Sequence, residues 1–180
     1  MTIEERPSSE IVQQRDYRDT IGLFASGVTI ITTRLGDVVH GMTANAVTSV
    51  SLEPTLLLVC VDRRAHLHDL IAQAGNFAVN ILAADQAGLG DHFAGRVREG
   101  AAPAALRFLY GSDGDDDGGV PTIAGCLAAL RCTVEATHPG GDHTIMVGRV
   151  TELRIDDPTA QPLIWFSGTY HRLADSGAAE

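Results

Sequence analysis

The feature that most constrains the fold of this chain is a pair of long β-type segments joined by a short turn. Apolar and polar residues alternate from 127 to 137, which predicts that Leu130 and Arg131 face opposite sides of a strand. Residues 143–155 form a second segment of this kind, and Pro139-Gly140-Gly141-Asp142 between the two is typical of a turn. The sequence therefore predicts two long antiparallel strands.

Shorter segments predict the remaining elements. Helices are predicted at residues 17–25, with an end at Gly27, and at 66–74 and 85–93. Residues 55–62 are almost continuously apolar, which predicts a strand buried on both faces. Further strands are predicted at 28–35, 38–42, 77–82 and 163–166. At least seven strands with short helices, and no regular strand–helix–strand alternation, indicate a mainly β fold, namely a β-barrel with helical insertions.

The length of 180 residues suits one compact domain. We expect a flexible N-terminal arm at 1–15, a folded domain at 16–174 and a flexible tail at 175–180. Residues 95–122 are rich in Gly, Asp, Pro and Ala, which predicts a long loop. Within it Asp113, Asp115 and Asp117 begin like a calcium loop, but Ala124 stands where such a loop needs its last carboxylate. The acidic run is therefore predicted to be solvated.

The charged residues exclude several functions. All 13 basic residues are arginine, and 23 acidic residues bring the net charge to −10. A chain without lysine cannot form a lysine Schiff base or a Walker-type phosphate loop. The acidic balance argues against binding to nucleic acid or to an anionic membrane, and the sequence has no apolar signal or membrane-spanning segment. Three cysteines without a CxxC pair are expected to stay reduced, so we expect a cytoplasmic protein.

The most unusual stretch for chemistry spans residues 43–51. Thr43, Thr48, Ser49 and Ser51 contribute hydroxyls, and Asn45 contributes a carboxamide. Small side chains let a planar ligand approach the backbone, and hydroxyl and amide groups can hold a phosphate without lysine. The alternative is an ordinary strand with its hydroxyls on the solvent face.

Two charged segments are further candidates. Arg63 and Arg64 follow the apolar strand and could bind a phosphate with forked donors, or only pair with neighbouring aspartates. Gly141-Asp142-His143 exposes backbone in a turn, where His143 could contact a ligand and titrate near neutral pH, or be an ordinary turn residue. No metal centre is predicted, because His66 and His68 lack an acidic or cysteine partner at a ligand spacing.

Taken in order, six short motifs resemble the short-chain flavin reductases, the reductase components of two-component flavin-dependent monooxygenases. They are GVT at 27–29, GMTAN at 41–45, SVSLEP at 49–54, FAVNIL at 77–82, HFAG at 92–95 and GDH at 141–143. The resemblance covers about residues 17–172. It implies an FMN-binding split β-barrel of Greek-key type that forms a homodimer. It also implies that NADH, or less favourably NADPH, reduces FMN or FAD, and that reduced flavin passes to a partner monooxygenase.

The resemblance also implies site residues. Flavin contacts are expected from the stretch 43–51, the end of the next strand and the region 93–96, namely Thr43, Ala44, Asn45, Thr48, Ser49, Val50, Ser51, Cys60, Val61, Arg63, Arg64, Phe93, Gly95 and Arg96. The nicotinamide nucleotide is expected at Gly141, Asp142, His143 and Tyr170, with His143 as the catalytic residue that orients the donor. Ala65 departs from the family pattern, since a serine is common there and a hydroxyl for the phosphate is missing.

Hydride transfer between two stacked rings needs alignment rather than a general base, so no general base is predicted. Backbone donors near Ala44 and Asn45 are expected to stabilise negative charge on the reduced ring. The net charge of −10 predicts weak, exchangeable flavin binding. Two alternatives use the same fold: an electron carrier with tightly held FMN, and an oxidase of the pyridoxamine-phosphate type. The sequence decides neither between FMN and FAD nor which monooxygenase is the partner.

Overall fold

The computed structural model describes residues 12–96, 106–110 and 119–174. The predicted tail, the acidic run at 113–117 and most of the predicted arm and loop lie outside these residues. The described helices are α1 (Gln14–Ile21), α2 (His66–Ala74) and α3 (Ala87–Phe93). The described strands are β1 (Ser26–Gly27), β2 (Thr29–Leu35), β3 (Val38–Ala44), β4 (Val47–Leu52), β5 (Thr55–Asp62), β6 (Asn76–Ile81), β7 (Phe108–Leu109), β8 (Thr122–Ile123), β9 (Ala128–Gly140), β10 (His143–Ile155), β11 (Ile164–Phe166) and β12 (Thr169–His171).

Seven strands form one antiparallel sheet in the order β3-β2-β6-β9-β10-β5-β4. Its centre is the predicted long hairpin of β9 and β10. The two edge strands, β3 and β4, are joined in the chain by Asn45 and Ala46 alone. Two residues span only about 10 Å between strand ends, so the sheet must curl until its edges approach each other. The mainly β fold with short helices is thereby confirmed.

Two apolar clusters stabilise the fold. In the larger one, α2 packs Leu67 and Ile71 against β2, β5 and β6, with Phe77 fully buried. In the smaller one, Leu89 of α3 packs on Leu82 and on residues next to the three-stranded sheet β1-β11-β12. Gly75, at φ 71°, ends α2 in the left-handed conformation that favours glycine, as predicted.

The structure corrects two expectations. Helix α1 ends at Gly22 instead of Gly27, because Ser26 and Gly27 are extended and pair with β11. Strand β5 is buried on one face only: Leu57, Val59 and Val61 lie in the core, whereas the alternate residues from Leu56 to Asp62 are half-buried.

Arg131 is 9% exposed, which the alternation of apolar and polar residues along β9 did not indicate. The β9–β10 register shifts beside it, between Val150 and Glu152, and its guanidinium pairs with Glu152 at 3.0 Å. The short strands β7, β8 and β12 were also not predicted from the sequence, because two or three residues carry too little pattern.

Candidate functional site

Three adjoining cavities lie around the two-residue link between β3 and β4. All three are lined by Asn45, and together we call them the groove. The aromatic cavity, of about 190 Å³, contains Arg96, Trp165 and Tyr170. The helix cavity, of about 490 Å³, lies between α1 and the start of β4. The apolar cavity, of about 560 Å³, reaches the core beside Leu57.

In the aromatic cavity, one arginine is held against two aromatic rings. The Arg96 guanidinium lies 4.7 Å from the centre of the Trp165 ring and 5.8 Å from that of Tyr170. Its nearest carboxylate, Asp91, is 3.5 Å away. Burial, followed by the negative charge of Asp91, raises the pKa of the Tyr170 phenol. The arginine is thus positioned mainly by ring stacking, which leaves its donors available to an anion.

Glycine makes the close packing of this cavity possible. A Cβ at Gly90 would lie 2.7 Å from the Tyr170 hydroxyl oxygen, and a Cβ at Gly41 would lie 2.6 Å from the Phe93 ring. Gly95, at φ 67°, turns the chain from α3 to Arg96. Phe93 is therefore a packing residue that supports the wall.

The wall next to β4 offers small polar groups and backbone. Thr43 donates its hydroxyl to the Gly90 carbonyl at 2.6 Å, and Asn45 donates to the Ser26 hydroxyl at 3.2 Å. Cys60 lines the helix cavity, and burial raises the pKa of its thiol, so it is an uncharged wall residue. The exposed hydroxyl of Thr48 lies in both the helix cavity and the apolar cavity.

The remaining predicted residues form a second group, the turn cluster, at the end of β5 and the β9–β10 turn. Arg64 binds the Asp62 carboxylate with two donors, at 3.2 and 2.8 Å, and this pairing holds the pKa of Asp62 well below its usual range. His143 contacts the Asp142 carboxylate through Nδ1 at 2.8 Å, and the same hydrogen bond lowers the pKa of Asp142. The Arg63 amide donates to the Asp142 carbonyl at 3.0 Å.

The turn cluster shares one face of the sheet with the groove. His143 pairs with Asp62 in the β5–β10 ladder, and Thr48 pairs with Leu58 in the β4–β5 ladder. Since residues two apart on a strand face the same side, Leu58, Cys60 and Asp62 lie on that face. The rise along a strand places Asp62 about 7 Å beyond Cys60.

The structure thus divides the predicted site residues. The groove is lined by Thr43, Ala44, Asn45, Thr48, Ser49, Ser51, Cys60, Arg96 and Tyr170. The turn cluster contains Arg63, Arg64, Gly141, Asp142 and His143. Val61 is fully buried in the core, so its side chain reaches neither group, and Val50 is exposed without lining the groove.

Among the groove residues that sequence reasoning missed are Arg18, Phe24, Leu58 and Trp165. Trp165 is the one tryptophan of the chain and stands five residues before Tyr170, which was a usable signal. The two rings meet edge to face at 5.1 Å. Arg18 and Phe24 gave no such signal, because only the pairing of β1 with β11 brings the end of α1 beside Trp165.

The histidines outside the turn cluster do not form a metal centre. His66 contacts the His40 ring at 4.8 Å, and His68 lies between Asp69 and the Thr144 hydroxyl, 2.9 Å from each. Within the described residues no group of three or more His, Cys, Asp or Glu could hold a metal ion. In the same part of the chain, every helix is too short or too polar to cross a lipid bilayer.

Comparisons with known proteins agree on one family. Residues 21–174 match the family model described as flavin reductase like domain. The chain is 45% identical over 166 residues to the NADH-dependent flavin reductase of a Rhodococcus species, covering 91% of this chain and 88% of that protein. It is 40% identical over 157 residues to the reductase component of 4-hydroxyphenylacetate 3-monooxygenase of Thermus thermophilus, with coverages of 87% and 95%.

The solved structure of flavin reductase PheA2 in its native state has the same fold. It matches with a TM-score of 0.81 at 42% sequence identity, over 91% of this chain and 99% of that one. Sequence, fold and the residues that line the groove are therefore consistent with one another. The chain belongs to the flavin reductase like domain family.

Proposed function

We propose that this chain is an NAD(P)H-dependent flavin reductase, which reduces FMN or FAD and supplies the reduced flavin to a partner monooxygenase. The observation that carries the proposal is the groove, in which a ring-stacked arginine stands at one end of a wall of small polar residues. One relative is named an NADH-dependent flavin reductase and another a monooxygenase reductase component. NADH is accordingly the expected donor.

The donor set of the groove fits a flavin. A flavin has a flat ring with a polar edge, a hydroxylated chain and a phosphate. Arg96 supplies a cation for the phosphate, and the exposed backbone at Asn45 and Ala46 supplies donors for the ring edge. The hydroxyls of Thr48 and Ser49 suit the chain, and no lysine is required. A bound flavin would supply the hydride-accepting chemistry of the reaction.

The residues of this chain bind and align the reactants. Trp165 and Tyr170 fix the plane of Arg96, so little side-chain entropy is lost when the guanidinium binds a phosphate. Because Asp142 is a carboxylate at neutral pH, His143 must donate its Nδ1 proton to it. The Nε2 atom of His143 then remains for the nicotinamide nucleotide, which makes His143 the residue that orients the hydride donor.

Exchangeable binding follows from the charge of the chain. A net charge of −10 repels flavin phosphate and dinucleotide at long range, and each groove end offers a single arginine. A reductase that supplies flavin to another protein needs such release. Dialysis against flavin-free buffer tests this directly: we expect purified protein to lose its flavin, and retention with nanomolar affinity would contradict the proposal.

A homodimer would cover the open face of β5. Leu56, Leu58 and Cys60 are half-buried on this face, which lies opposite the core residues Leu57 and Val59. Apolar surface of this kind is expected at an interface. We propose that a second copy packs here, over Leu58 and Cys60 of the groove wall, and that the gap between β3 and β4 is the split of a split β-barrel. Sedimentation of the wild-type chain against a Leu56→Glu variant tests the dimer.

The reducing cytoplasm is the compartment that suits this function. The reaction consumes a nicotinamide reductant, and Cys60, Cys126 and Cys132 are free thiols. Burial raises the pKa of the Cys126 and Cys132 thiols to about 12, which keeps them protonated and unreactive.

The deciding experiment mixes the purified chain with NADH and a molar excess of FMN or FAD under anaerobic conditions, and follows NADH absorbance. Steady consumption of NADH until the added flavin is reduced supports the reductase. A single event, stoichiometric with protein, would instead identify an electron carrier with tightly held flavin. Absence of NADH oxidation with either flavin, and with NADPH in its place, would reject the reductase.

A further inference from the structure

The first turn of helix α2 makes a polar contact with the start of β10, outside the groove. The Nδ1 atom of His68 is 2.9 Å from the Asp69 carboxylate, and its Nε2 atom is 2.9 Å from the Thr144 hydroxyl. Because an ionised carboxylate only accepts hydrogen bonds, His68 donates through Nδ1. Its Nε2 atom contacts Thr144 in either protonation state of the ring, since a hydroxyl both donates and accepts. We call this the His68–Thr144 contact.

Thr144 directly follows His143, and the two side chains point to opposite faces of the sheet. Thr144 pairs with Val61, which is fully buried in the core, whereas His143 pairs with Asp62. Successive side chains of a strand alternate between its two faces. A helix that holds the Thr144 side chain on the core side therefore also fixes the backbone from which the His143 ring projects on the other side.

The β9–β10 turn has little packing of its own to fix that backbone. Residues 137–142 are exposed. On the β5 side, the Arg63 amide binds a carbonyl of the turn. On the β9 side, Thr144 pairs with Pro139, which has no backbone N–H to donate. The first buried side chain of β10 is Met146, so the contact from α2 lies closer to the turn than the core does.

We infer that His68 is a positioning residue for His143. It acts through Thr144 and does not itself touch the nucleotide. This inference rests on the proposed function, in which His143 orients the hydride donor. When only a fraction of the molecules holds a side chain in its binding orientation, the apparent affinity for the ligand falls by that fraction. Loss of the His68–Thr144 contact should therefore raise the Michaelis constant for NADH, with kcat and the FMN dissociation constant unchanged.

Two substitutions of His68 separate its two contacts. The amide of Asn reaches the position of Nδ1, so His68→Asn keeps a partner for Asp69 but loses Thr144. The amide of Gln is one carbon further out and reaches the position of Nε2, so His68→Gln keeps the contact with Thr144. Thr144→Val removes the hydroxyl at nearly equal volume, and Thr144→Ser retains it. His66→Asn is the control, since His66 is exposed on the same helix and contacts the His40 ring instead.

We expect His68→Asn and Thr144→Val to raise the Michaelis constant for NADH about threefold, the usual range for one hydrogen bond. His68→Gln, Thr144→Ser and His66→Asn should behave like wild type. In a His143→Ala background, His68→Asn should have no further effect, because the two residues act as one unit. Equal effects of His68→Asn and His68→Gln, or an undiminished effect of His68→Asn in that background, would overturn the inference.

Amide hydrogen exchange tests the same contact without NADH or flavin. The amides of His143 and Thr144 should exchange about threefold faster in His68→Asn than in wild type or His68→Gln. Unchanged exchange in His68→Asn would overturn the inference, because the start of β10 would then be held without His68. Absence of NADH oxidation by the unmodified chain would reject the proposed function, while the exchange rates would still decide whether His68 positions this segment.

Discussion

The groove and the turn cluster lie on one face of β5, but they differ in how their charged side chains are paired. No carboxylate is among the described residues that line the groove, and the guanidinium of Arg96 rests on aromatic rings. In the turn cluster both carboxylates have a partner, Asp62 in Arg64 and Asp142 in His143. An incoming anion meets available donors in the groove but must compete with carboxylates in the turn cluster.

This difference implies that the groove and the turn cluster contribute to ligand binding in different ways. A stacked, weakly paired arginine contributes binding energy to a phosphate, because little desolvation and reorganisation is required. A cluster whose charges are already paired contributes position more than attraction, since a new anion gains little net Coulomb energy there. We therefore expect groove substitutions to change flavin affinity and turn-cluster substitutions to change the use of NADH.

The largest effect is expected from Arg96→Gln. Losing the charged donor should weaken FMN by about tenfold to a hundredfold, the usual range for a hydrogen bond to a charged group. Riboflavin, which lacks the phosphate, should bind wild type and variant equally. Flavin fluorescence titration measures both constants. Arg107→Gln removes an exposed arginine that does not line the groove and is the control. Equal weakening of riboflavin would mean that the groove itself had collapsed.

A smaller effect, about tenfold, is expected from His143→Ala on kcat/KM for NADH, because the donor loses the group that orients it. The FMN dissociation constant should stay unchanged, since His143 is not among the described residues that line the groove. His138→Ala is a matched control, because His138 is exposed and lies on the same sheet face opposite Ile145. Unchanged steady-state kinetics in His143→Ala would remove this residue from the reaction.

Next in size is an alkaline effect of Tyr170. Its pKa is raised by burial and by Asp91, so the folded chain holds the phenolic proton more tightly than the unfolded chain does. The associated stability is complete below the ordinary tyrosine pKa of about 10 and is lost as the pH rises through the higher folded value. Melting temperature should therefore fall less steeply above about pH 10 in Tyr170→Phe than in wild type.

Tyr17→Phe is the control for this slope, since Tyr17 is 62% exposed on α1. If Tyr170→Phe and wild type lost melting temperature in parallel, the phenol would not be coupled to the folded groove, and Arg96 would be positioned by Trp165 alone.

Much of the fold was predictable, because the pattern of β9 and β10 and the stop at Gly75 are local signals. The burial of Arg131 was not predictable, since Arg131 lies beside a register shift between two strands. The open face of β5 was not predictable either: an apolar run indicates that both faces avoid water, but not that a second chain could be what covers one of them.

The sequence indicated many residues of the candidate site, but not how they are divided between the groove and the turn cluster. Motif resemblance identified Thr43, Asn45 and Arg96, which line the groove, but it placed Val61 among the contacts although its side chain is buried. A motif gives only the position of a residue along the chain. The alternation of side chains along a strand determines which face of the sheet each side chain occupies. The division between groove and turn cluster follows from the β4–β5 and β5–β10 ladders, which no single segment encodes.

The smallest effect is expected from Asp62→Asn, which tests whether charge pairing in the turn cluster limits the binding of an anion. The substitution frees Arg64, whose side chain is 83% exposed, so the guanidinium becomes available to a phosphate. The Michaelis constant for NADH should fall about twofold at low salt, and the change should vanish at high salt, where exposed charges are screened. Melting temperature should hardly change, because the guanidinium of the pair is 83% exposed and such surface pairs contribute little to stability.

Asp37→Asn removes the same charge from the exposed β2–β3 turn, where Asp37 lies 3.9 Å from Arg34. If both variants lowered the Michaelis constant alike, the effect would come from net charge and not from Arg64. If Asp62→Asn raised the constant instead, the carboxylate would be positioning Arg64 or His143 for the nucleotide. The turn cluster would then be a binding site assembled from paired charges, and its contrast with the groove would be one of geometry and not of available charge.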